Sequence, residues 1–423
     1  MTLLDELSWR GLRQQQTHET LGEELAKGPM TLYCGFDPTA DSLHVGSLVP
    51  ILGLAHFQRA GHRPIALVGG GTGLIGDPSF KATERALLTR AEVEANCAGI
   101  RRQLELLLDF SGSNAAIMRN NMDWLGKLTF IDFLRDVGKH FSVNVMLSRE
   151  SVRQRLEDRD HGISYTEFTY SLLQAYDFLQ LNEEYGCRLQ IGGSDQWGNI
   201  VAGMDLTRRV RNAETFGLTL PLVTKADGTK FGKSESGNVW LDAGRTSPYK
   251  FYQFWLNQAD ADAGRYLKYF TFLSREEILS YEAQIAEEPH KRAAQQRLAS
   301  EVTRMIHGET ALDNAIKASQ AMFGGELAGL DEATLADVFS EVPSSSLPAE
   351  TLSSGRLLID VLVEAGVFPS KGEARRLVKN GGLYLNNGRI DDEGTPLTEA
   401  ALLAGSTAVI RKGKKNYHLL RFA

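Results

Sequence analysis

Three short apolar segments, each running into a glycine-rich or Asp-Pro loop, constrain the fold of this chain more than any other feature. Residues 31–36 (TLYCGF) end at Asp37-Pro38, residues 64–79 read PIALVGGGTGLIGDPS, and residues 187–199 read CRLQIGGSDQWGN. Buried strands followed by such loops are typical of parallel sheets, whose carboxyl-end loops hold ligands. Residues 43–60 follow a helical pattern, with Asp41 or Ser42 as the predicted N-cap. The sequence therefore predicts an α/β fold.

The rest of the chain indicates further domains, because 423 residues exceed what one core usually holds. We expect a first domain over residues 1–246, with a mainly helical, aromatic-rich insertion at about 125–185. Residues 247–323 have few glycines and heptad-like apolar spacings, which predicts a helical domain. Residues 324–355 are rich in glycine, proline and serine and indicate a linker. Residues 356–423 indicate a small α/β domain.

Charge is unevenly distributed along the chain. Residues 356–423 contain 11 Lys/Arg and 7 Asp/Glu, a balance of +4, so a net charge of -7 leaves -11 for the remainder. A basic tail domain on an acidic body indicates that the tail meets a polyanion.

Cysteine usage and hydropathy indicate a cytoplasmic protein. Cys34, Cys97 and Cys187 are scattered, which predicts neither a disulfide framework nor a zinc site. The first residues lack the basic-then-apolar pattern of a secretion signal. No apolar run approaches the ~20 residues that a membrane span needs.

The segment from Tyr33 to Ser47 joins a strand end to a predicted helix start, where free N–H groups favour phosphate. His44 and Ser47 are three residues apart, so on a helix they would share one face. Gly46 between them would let a base or ribose approach the backbone. Taken alone, the segment fits equally well a capped helix start with a surface histidine.

A second segment, KFGKS, carries Lys230 and Lys233 and follows the turn Ala-Asp-Gly. Two lysines in a glycine-containing loop would neutralise the charge of a leaving pyrophosphate. Taken alone, a solvated lysine loop is the simpler interpretation.

Together the two segments resemble the paired signatures of class I aminoacyl-tRNA synthetases. Residues 44–47 resemble His-Ile-Gly-His, and residues 230–234 resemble Lys-Met-Ser-Lys-Ser. YCGFDPTADSLH, GLIGDPS, ISYTEFTYSLLQAYDF and LQIGGSDQWGN further resemble bacterial tyrosyl-tRNA synthetase, and the tail resembles the S4 RNA-binding domain. The resemblance implies a Rossmann-type parallel-sheet catalytic domain with a helical insertion, an α-helical domain, a small α/β S4-like RNA-binding domain, and a homodimer formed through the insertion.

The resemblance implies that tyrosine is the amino-acid substrate. Tyr33 and Asp177 would meet its phenolic hydroxyl. Independently of the family, Tyr170, Gln174 and Asp177 are spaced by four and three residues, so one helix would aim all three at one ligand. The implied tyrosine-binding set is Tyr33 and Asp177 for the phenol, Asp77, Tyr170 and Gln174 for the ammonium, and Gln190 and Gln196 near the carboxylate and reacting centre.

The resemblance likewise implies an ATP site. Asp195 would contact the ribose, Cys34 and Ser47 would add weaker ribose contacts, and Leu222 and Val223 would pack against adenine. The implied ATP-binding set is Cys34, Gly35, Asp37, Gly46, Ser47, Gly193, Asp195, Leu222, Val223 and Lys233.

Tyrosine activation needs no catalytic base, because the carboxylate is already a nucleophile. The enzyme must position the reactants and stabilise charge. The candidates for that charge are His44, Thr39, Lys230 and Lys233. Mg²⁺ is expected with ATP, held by ATP oxygens and water rather than by a protein metal site.

Transfer RNA is the expected third partner. Clustered cations near a helix start suit RNA phosphates. The candidate residues are Lys371, Arg375, Arg376, Lys412, Lys414 and Lys415 in the tail, and Lys81 and Arg85 after the second glycine loop for the acceptor end. A solvated charge run is the alternative interpretation of the tail.

Three other functions stay open at this level. Ser47 stands where the signature has its second histidine and is the one feature that favours a non-catalytic RNA-binding factor on a synthetase scaffold, whereas Lys230, Lys233 and the implied tyrosine contacts argue against it. A synthetase for tryptophan is disfavoured by Tyr33 with Asp177, since an indole has no hydroxyl. A small-molecule adenylating enzyme without tRNA is disfavoured by the basic tail.

Overall fold

The computed structural model describes residues 2–78, 87–157, 162–229, 231–234, 237–322, 324–340, 342–353, 355–413 and 416–423. The chain divides into two compact units, Met1–Asp242 with Gln258–Leu298, and Ala243–Asn257 with Ala299–Ala423.

The helices are α1 (Leu3–Arg10), α2 (Leu21–Ala26), α3 (Leu48–Arg59), α4 (Arg90–Leu107), α5 (Met122–Leu125), α6 (Phe130–Asp132), α7 (Val143–Ser148), α8 (Glu150–Glu157), α9 (Tyr165–Tyr185), α10 (Trp197–Arg211), α11 (Pro248–Leu256), α12 (Asp260–Phe270), α13 (Arg275–Glu287), α14 (Ala293–Ala321), α15 (Glu332–Val338), α16 (Glu350–Ser353), α17 (Leu358–Glu364) and α18 (Lys371–Lys379). The strands are β1 (Gln15–Gln16), β2 (Thr31–Phe36), β3 (Arg63–Val68), β4 (Ile117–Asn120), β5 (Leu189–Gly193), β6 (Phe216–Leu220), β7 (Lys233–Ser234), β8 (Gly237–Asn238), β9 (Ser344–Leu347), β10 (Leu383–Leu385), β11 (Gly388–Arg389), β12 (Thr407–Lys412) and β13 (Asn416–Phe422).

A six-stranded sheet forms the centre of the first unit, in the order β1-β6-β5-β2-β3-β4. β1 runs antiparallel to β6, and the other neighbours are parallel. β3 and β6 are buried along almost their whole length, which is why the sequence shows continuous apolar runs rather than alternation. The predicted parallel α/β fold is confirmed.

The helix predicted over residues 43–60 begins only at Leu48. Residues 45–47 form a 3₁₀ turn, and His44 is extended, with φ -115° and ψ 169°. His44 bridges Trp240 in an antiparallel manner, and this pairing delays the start of the helix. The prediction that His44 and Ser47 share a helix face is therefore wrong.

The second unit contains a five-stranded sheet in the order β11-β10-β12-β13-β9. Helices α17 and α18 pack on it through a buried cluster that includes Leu362, Val378, Ile410 and Leu420. Residues 324–355, predicted as a linker, contain α15 and the strand β9, which pairs with β13 in parallel. The reason is a tertiary one, because β9 gains its partner from the end of the chain.

The predicted helical domain of residues 247–323 is divided between the two units, with α12 and α13 in the first and α11 in the second. The functional domain boundaries stay a prediction. In the described part of the chain, no helix combines the length and apolar character that crossing a membrane requires.

Candidate active site

A cavity of about 610 Å³ opens in the first unit where β2 and β5 end. β2 and β5 are neighbours at the centre of the sheet. The strand that follows β2 in the chain, β3, lies on one side of this pair, and the strand that follows β5, β6, lies on the other, so the strand order reverses between β2 and β5. Open α/β sheets bind ligands in the crevice that such a reversal leaves. The predicted residues that line the cavity are Tyr33, Cys34, Gly35, Asp37, Thr39, His44, Gly46, Ser47, Asp77, Tyr170, Gln174, Asp177, Gln190, Gly193, Asp195, Gln196, Leu222 and Val223.

The other predicted residues are elsewhere. Lys233, on β7, is exposed and does not line the cavity. The tail cations of the described chain, Lys371, Arg375, Arg376 and Lys412, belong to the second unit. Five predicted residues lie outside the described part of the chain, namely Lys81, Arg85, Lys230, Lys414 and Lys415.

Asp177 is held at the buried end of the cavity by two donors that the sequence did not single out. Trp124 Nε1 donates to its Oδ1 over 2.7 Å, and Asn121 Nδ2 donates to its Oδ2 over 3.0 Å. Burial raises the pKa of Asp177 to about 7, while these two hydrogen bonds lower it and the charge of Asp37 raises it. Both donors come from the segment after β4, and no motif marks it in the sequence.

Tyr33 lies beside this carboxylate and is 1% exposed. Its ring meets Phe178 edge-on at 5.2 Å, and its hydroxyl has no hydrogen-bond partner among the described residues. Burial, and then Asp177, raise the pKa of Tyr33 well above its usual value, so the phenol stays a neutral donor. A buried hydroxyl without a partner carries a desolvation cost that a ligand hydroxyl would remove.

Gln190 is the register partner of Tyr33 on the neighbouring strand. It is 2% exposed, and its Oε1 has no partner among the described residues. This register places Gln190 next to Tyr33, and its position near the substrate carboxylate stays a prediction.

Asp37 is engaged by side chains from two directions. Tyr170 donates its hydroxyl to Oδ2, and Thr72 donates its hydroxyl to Oδ1, each over 2.7 Å. The backbone of Gly69 approaches so closely that a Cβ there would lie 2.1 Å from Oδ1. Asp37 therefore holds the hydroxyl of Tyr170, and its implied place in the ATP-binding set stays a prediction.

Gln196 connects the helix α9 to two carboxylates. Its Nε2 donates to Asp77 over 2.8 Å and to Asp195 over 3.2 Å, and its Oε1 accepts from Gln174 Nε2 over 3.3 Å. The single helix expected to carry Tyr170, Gln174 and Asp177 is α9, and all three reach the cavity.

His44 has a defined tautomer in its neutral form. Its Nδ1 accepts a hydrogen bond from the backbone N–H of Gly46 over 3.0 Å, so the ring proton is on Nε2. Ser47 occupies the N-cap position of α3, but its side chain makes no capping hydrogen bond. Both residues line the cavity, which gives it one imidazole donor and one hydroxyl at this end.

The lining is acidic. It includes Asp37, Asp77, Asp177 and Asp195 and, among the described residues, neither lysine nor arginine. Burial, and then Asp195, raise the pKa of Cys34 to about 12, so this thiol stays neutral. Such a cavity suits a cationic group, and phosphates would need cations from outside the lining.

A separate basic surface follows α18 in the second unit. Lys371 pairs with Asp360 at 2.8 Å, and Arg375 pairs with Glu393 at 3.5 Å. Arg376 is exposed, and the structure gives it no ion pair within the described residues. Two of these three cations are therefore paired with carboxylates, and their role in RNA binding stays a prediction.

The fold and the site together define the class of protein. The family model described as tRNA synthetases class I (W and Y) matches residues 25–324, which is most of the chain. A model of the tyrosine–tRNA ligase SYY-like C-terminal domain matches residues 334–420.

Relatives specify the family within that class. The chain is 57% identical over 422 residues to a tyrosine–tRNA ligase of Roseiflexus castenholzii, covering 99% of each chain. It is 56% identical to that of Geobacillus stearothermophilus over the full length of both. A truncated mitochondrial tyrosyl-tRNA synthetase of Aspergillus nidulans, 30% identical, superposes with a TM-score of 0.68 over 75% of this chain and 94% of the other. The chain belongs to the tyrosine–tRNA ligase family.

Proposed function

We propose that the chain activates L-tyrosine with ATP to tyrosyl-adenylate, releasing pyrophosphate, and transfers tyrosine to the 3′ end of tRNA(Tyr), releasing AMP. The pairing of Tyr33 with Asp177 carries this proposal. A buried neutral hydroxyl without a partner in the described chain lies beside a buried carboxylate. Tyrosine would give the Tyr33 hydroxyl a partner and Asp177 a further donor, whereas phenylalanine would leave the Tyr33 hydroxyl buried without one, which costs free energy.

The ammonium of the substrate would bind at the acidic middle of the cavity. Tyr170, Gln174 and Asp77 supply the acceptors, with Tyr170 oriented by its hydrogen bond to Asp37. Gln196 lies between these groups and Asp195, so it would stand near the reacting carboxylate.

ATP would occupy the end of the cavity around Asp195 and His44. Asp195, Cys34 and Ser47 would contact the ribose, and the half-exposed Leu222 with Val223 would cover the adenine. Gly35, Gly46 and Gly193 have no side chain, so the base or ribose of ATP could approach the protein backbone at these positions. Because the described lining has no lysine, the phosphates would be met by Thr39, His44, Lys230 and Lys233, with Mg²⁺ accompanying ATP.

The tyrosine carboxylate would attack the α-phosphate in line, and pyrophosphate would leave. His44 Nε2–H, Lys230 and Lys233 would stabilise the charge that moves onto the leaving oxygens. In the second step, a ribose hydroxyl of the tRNA 3′ end attacks the adenylate carbonyl and AMP leaves.

Transfer RNA would be held by the α18 cations with Lys412, and by Lys81, Arg85, Lys414 and Lys415. Arg376 is the best-placed phosphate ligand, because RNA need not displace an acidic partner there.

A second copy of the chain would cover an apolar surface of the insertion. We define the insertion patch as Phe130, Ile131, Val143, Val145 and Tyr165, each between 58% and 66% exposed. Contiguous exposed apolar surface marks interaction sites, and we propose that these side chains of the insertion form one such surface. We also infer a cytoplasmic location from the free cysteines.

The test is amino-acid-dependent ATP–pyrophosphate exchange, with each proteinogenic amino acid supplied in turn. We expect exchange with tyrosine and little with phenylalanine, and a narrowing of that difference in Tyr33→Phe. Charging of tRNA(Tyr) is measured next. A folded protein without exchange for any amino acid would exclude the enzyme and favour a non-catalytic RNA-binding factor.

A further inference from the structure

The hydroxyl of Ser42 joins three segments instead of capping a helix. Its Oγ donates to the carbonyl of Leu43 over 2.8 Å and accepts from Gln103 Nε2 over 2.8 Å and from the N–H of Asp242 over 3.1 Å. These bonds use the one donor and two acceptor positions of a hydroxyl. Ser42 is 4% exposed, so solvent does not replace any of them.

Gln103 provides a second link from α4 to the same loop. Its Oε1 accepts from the N–H of Leu43 over 2.8 Å, and the side chain is 7% exposed. Gly99, one turn earlier, lets α4 approach the loop, because a Cβ there would lie 1.9 Å from the carbonyl oxygen of Asp41. The two positions share one helix face, so α4 supports the loop before His44.

Residues 43–45 in turn pair with the segment that follows the lysine loop. Leu241 donates its N–H to Leu43 over 2.9 Å, and Val45 donates to Val239 over 3.0 Å. Val239 also donates to Gly232, inside the lysine loop, over 3.0 Å. Backbone hydrogen bonds thus link the segment that carries His44, through residues 239–241, to the segment that carries Lys233. The hydrogen bond from the N–H of Asp242 to Ser42 is the last in this series.

We propose that Gln103 and Ser42 are positioning residues for adenylate formation, which hold His44 in register with the lysine loop. The proposal rests on the function proposed above. Within the described residues, neither side chain shares a hydrogen bond with Tyr33, with Asp177 or with the two donors to Asp177. Their loss therefore lowers the rate of the chemical step and leaves the affinity for tyrosine unchanged.

The test compares Gln103→Leu, Ser42→Ala and the double variant in the full-length protein. Two quantities are measured: the single-turnover rate of adenylate formation at saturating Mg-ATP, and the tyrosine dissociation constant by equilibrium dialysis. We expect each single variant to be about tenfold slower, since small displacements of charge-stabilising groups are costly. The double variant is expected within about twofold of the slower single variant, because both break one network. Tyrosine affinity should change by less than about twofold.

Gln58→Leu is the matched control. Gln58 is a buried glutamine, 8% exposed, whose amide bonds the backbone of Asp109 and Asn114, and it does not line the cavity. Its loss should destabilise the fold comparably without slowing adenylate formation. Equal slowing in Gln58→Leu and Gln103→Leu, or a tyrosine affinity that falls in step with the rate, overturns the proposal.

Two further outcomes are decisive. If Gln103→Leu does not fold, Ser42→Ala removes a single oxygen, and a wild-type rate in that variant refutes the positioning role. A wild-type protein that forms no adenylate refutes the function itself and this role with it, whereas an active wild type with unaffected variants refutes this role alone.

Discussion

Trp124 donates its indole N–H to Asp177 over 2.7 Å, and both side chains are at least nine-tenths buried. The bond opposes the effect of burial, which raises the pKa of Asp177 to about 7. The charge of the carboxylate expected to meet the substrate phenol therefore depends on a residue about fifty positions earlier in the chain.

Removing this donor should weaken tyrosine binding in a pH-dependent way. In Trp124→Phe, the pKa of Asp177 rises further, so more of the carboxyl is protonated at neutral pH and it accepts the substrate hydrogen bond more weakly than the carboxylate does. We expect the tyrosine dissociation constant to rise about tenfold at pH 7 and less at pH 8.5. Titrations at several pH values measure this, with Trp9→Phe as the control. An equal loss at every pH would contradict the mechanism.

Asp177 should also impose a pH dependence on stability. Its pKa is about 7 in the folded protein and 3.8 ordinarily, so the folded state binds more protons between these values. The stabilising contribution is complete below pH 3.8 and is lost as the pH rises through 7. Asn does not ionise, so Asp177→Asn avoids this loss. The free energy of unfolding of the variant relative to that of the wild type should therefore rise by up to about 4 kcal/mol between pH 4 and 8. Denaturant unfolding at each pH tests this, and a constant difference would argue against the shifted pKa.

Ser47 should act on ATP and not on tyrosine. Its hydroxyl makes no capping bond and lines the cavity, so Ser47→Ala should raise the KM for ATP about threefold in pyrophosphate exchange. The KM for tyrosine should stay constant, and Ser47→His should remain active. A changed KM for tyrosine in Ser47→Ala would contradict a position of Ser47 at the ATP end of the cavity. An inactive wild type together with an active Ser47→His variant would show that serine at this position impairs catalysis.

The insertion patch should govern self-association. Ile131 is 66% exposed, and Ile131→Asp introduces a charge that a dimer would have to desolvate. We expect a dimeric wild type and a monomeric variant by light scattering after gel filtration. Leu279→Asp, at an apolar residue 46% exposed outside the patch, should remain dimeric. If both variants, or the wild type, are monomeric, the insertion patch is not the dimer interface.

Arg376 should contribute to tRNA binding through phosphate. Arg376→Gln should weaken tRNA affinity and lower the slope of log affinity against log salt by about 1, with tyrosine-dependent exchange unchanged. Arg101→Gln, an exposed arginine paired with Glu105 on α4, is the control. An unchanged slope would mean that Arg376 makes no phosphate contact.

Local patterns in the sequence determined three strands of the first sheet, β2, β3 and β5, together with the glycine loops and the shared helix of Tyr170, Gln174 and Asp177. Apolar runs and helical spacing are set by residues close together in the chain, and hence Tyr170, Gln174 and Asp177 could be assigned to one face before the fold was known. The same patterns erred at residues 43–47, where pairing with residues 239–241 keeps the backbone extended.

Only the tertiary structure decided how the site is held together. Asn121 and Trp124 around Asp177, Thr72 and Tyr170 on Asp37, and Gln103 on Ser42 are contacts between residues 35 to 133 positions apart. The strand β9 in the predicted linker likewise depends on a partner at the chain end. A single sequence carries residue types and short spacings, but it does not carry distances between remote segments. The burial that shifts the pKa of Asp177, and the donors that oppose that shift, exist only once those segments have packed.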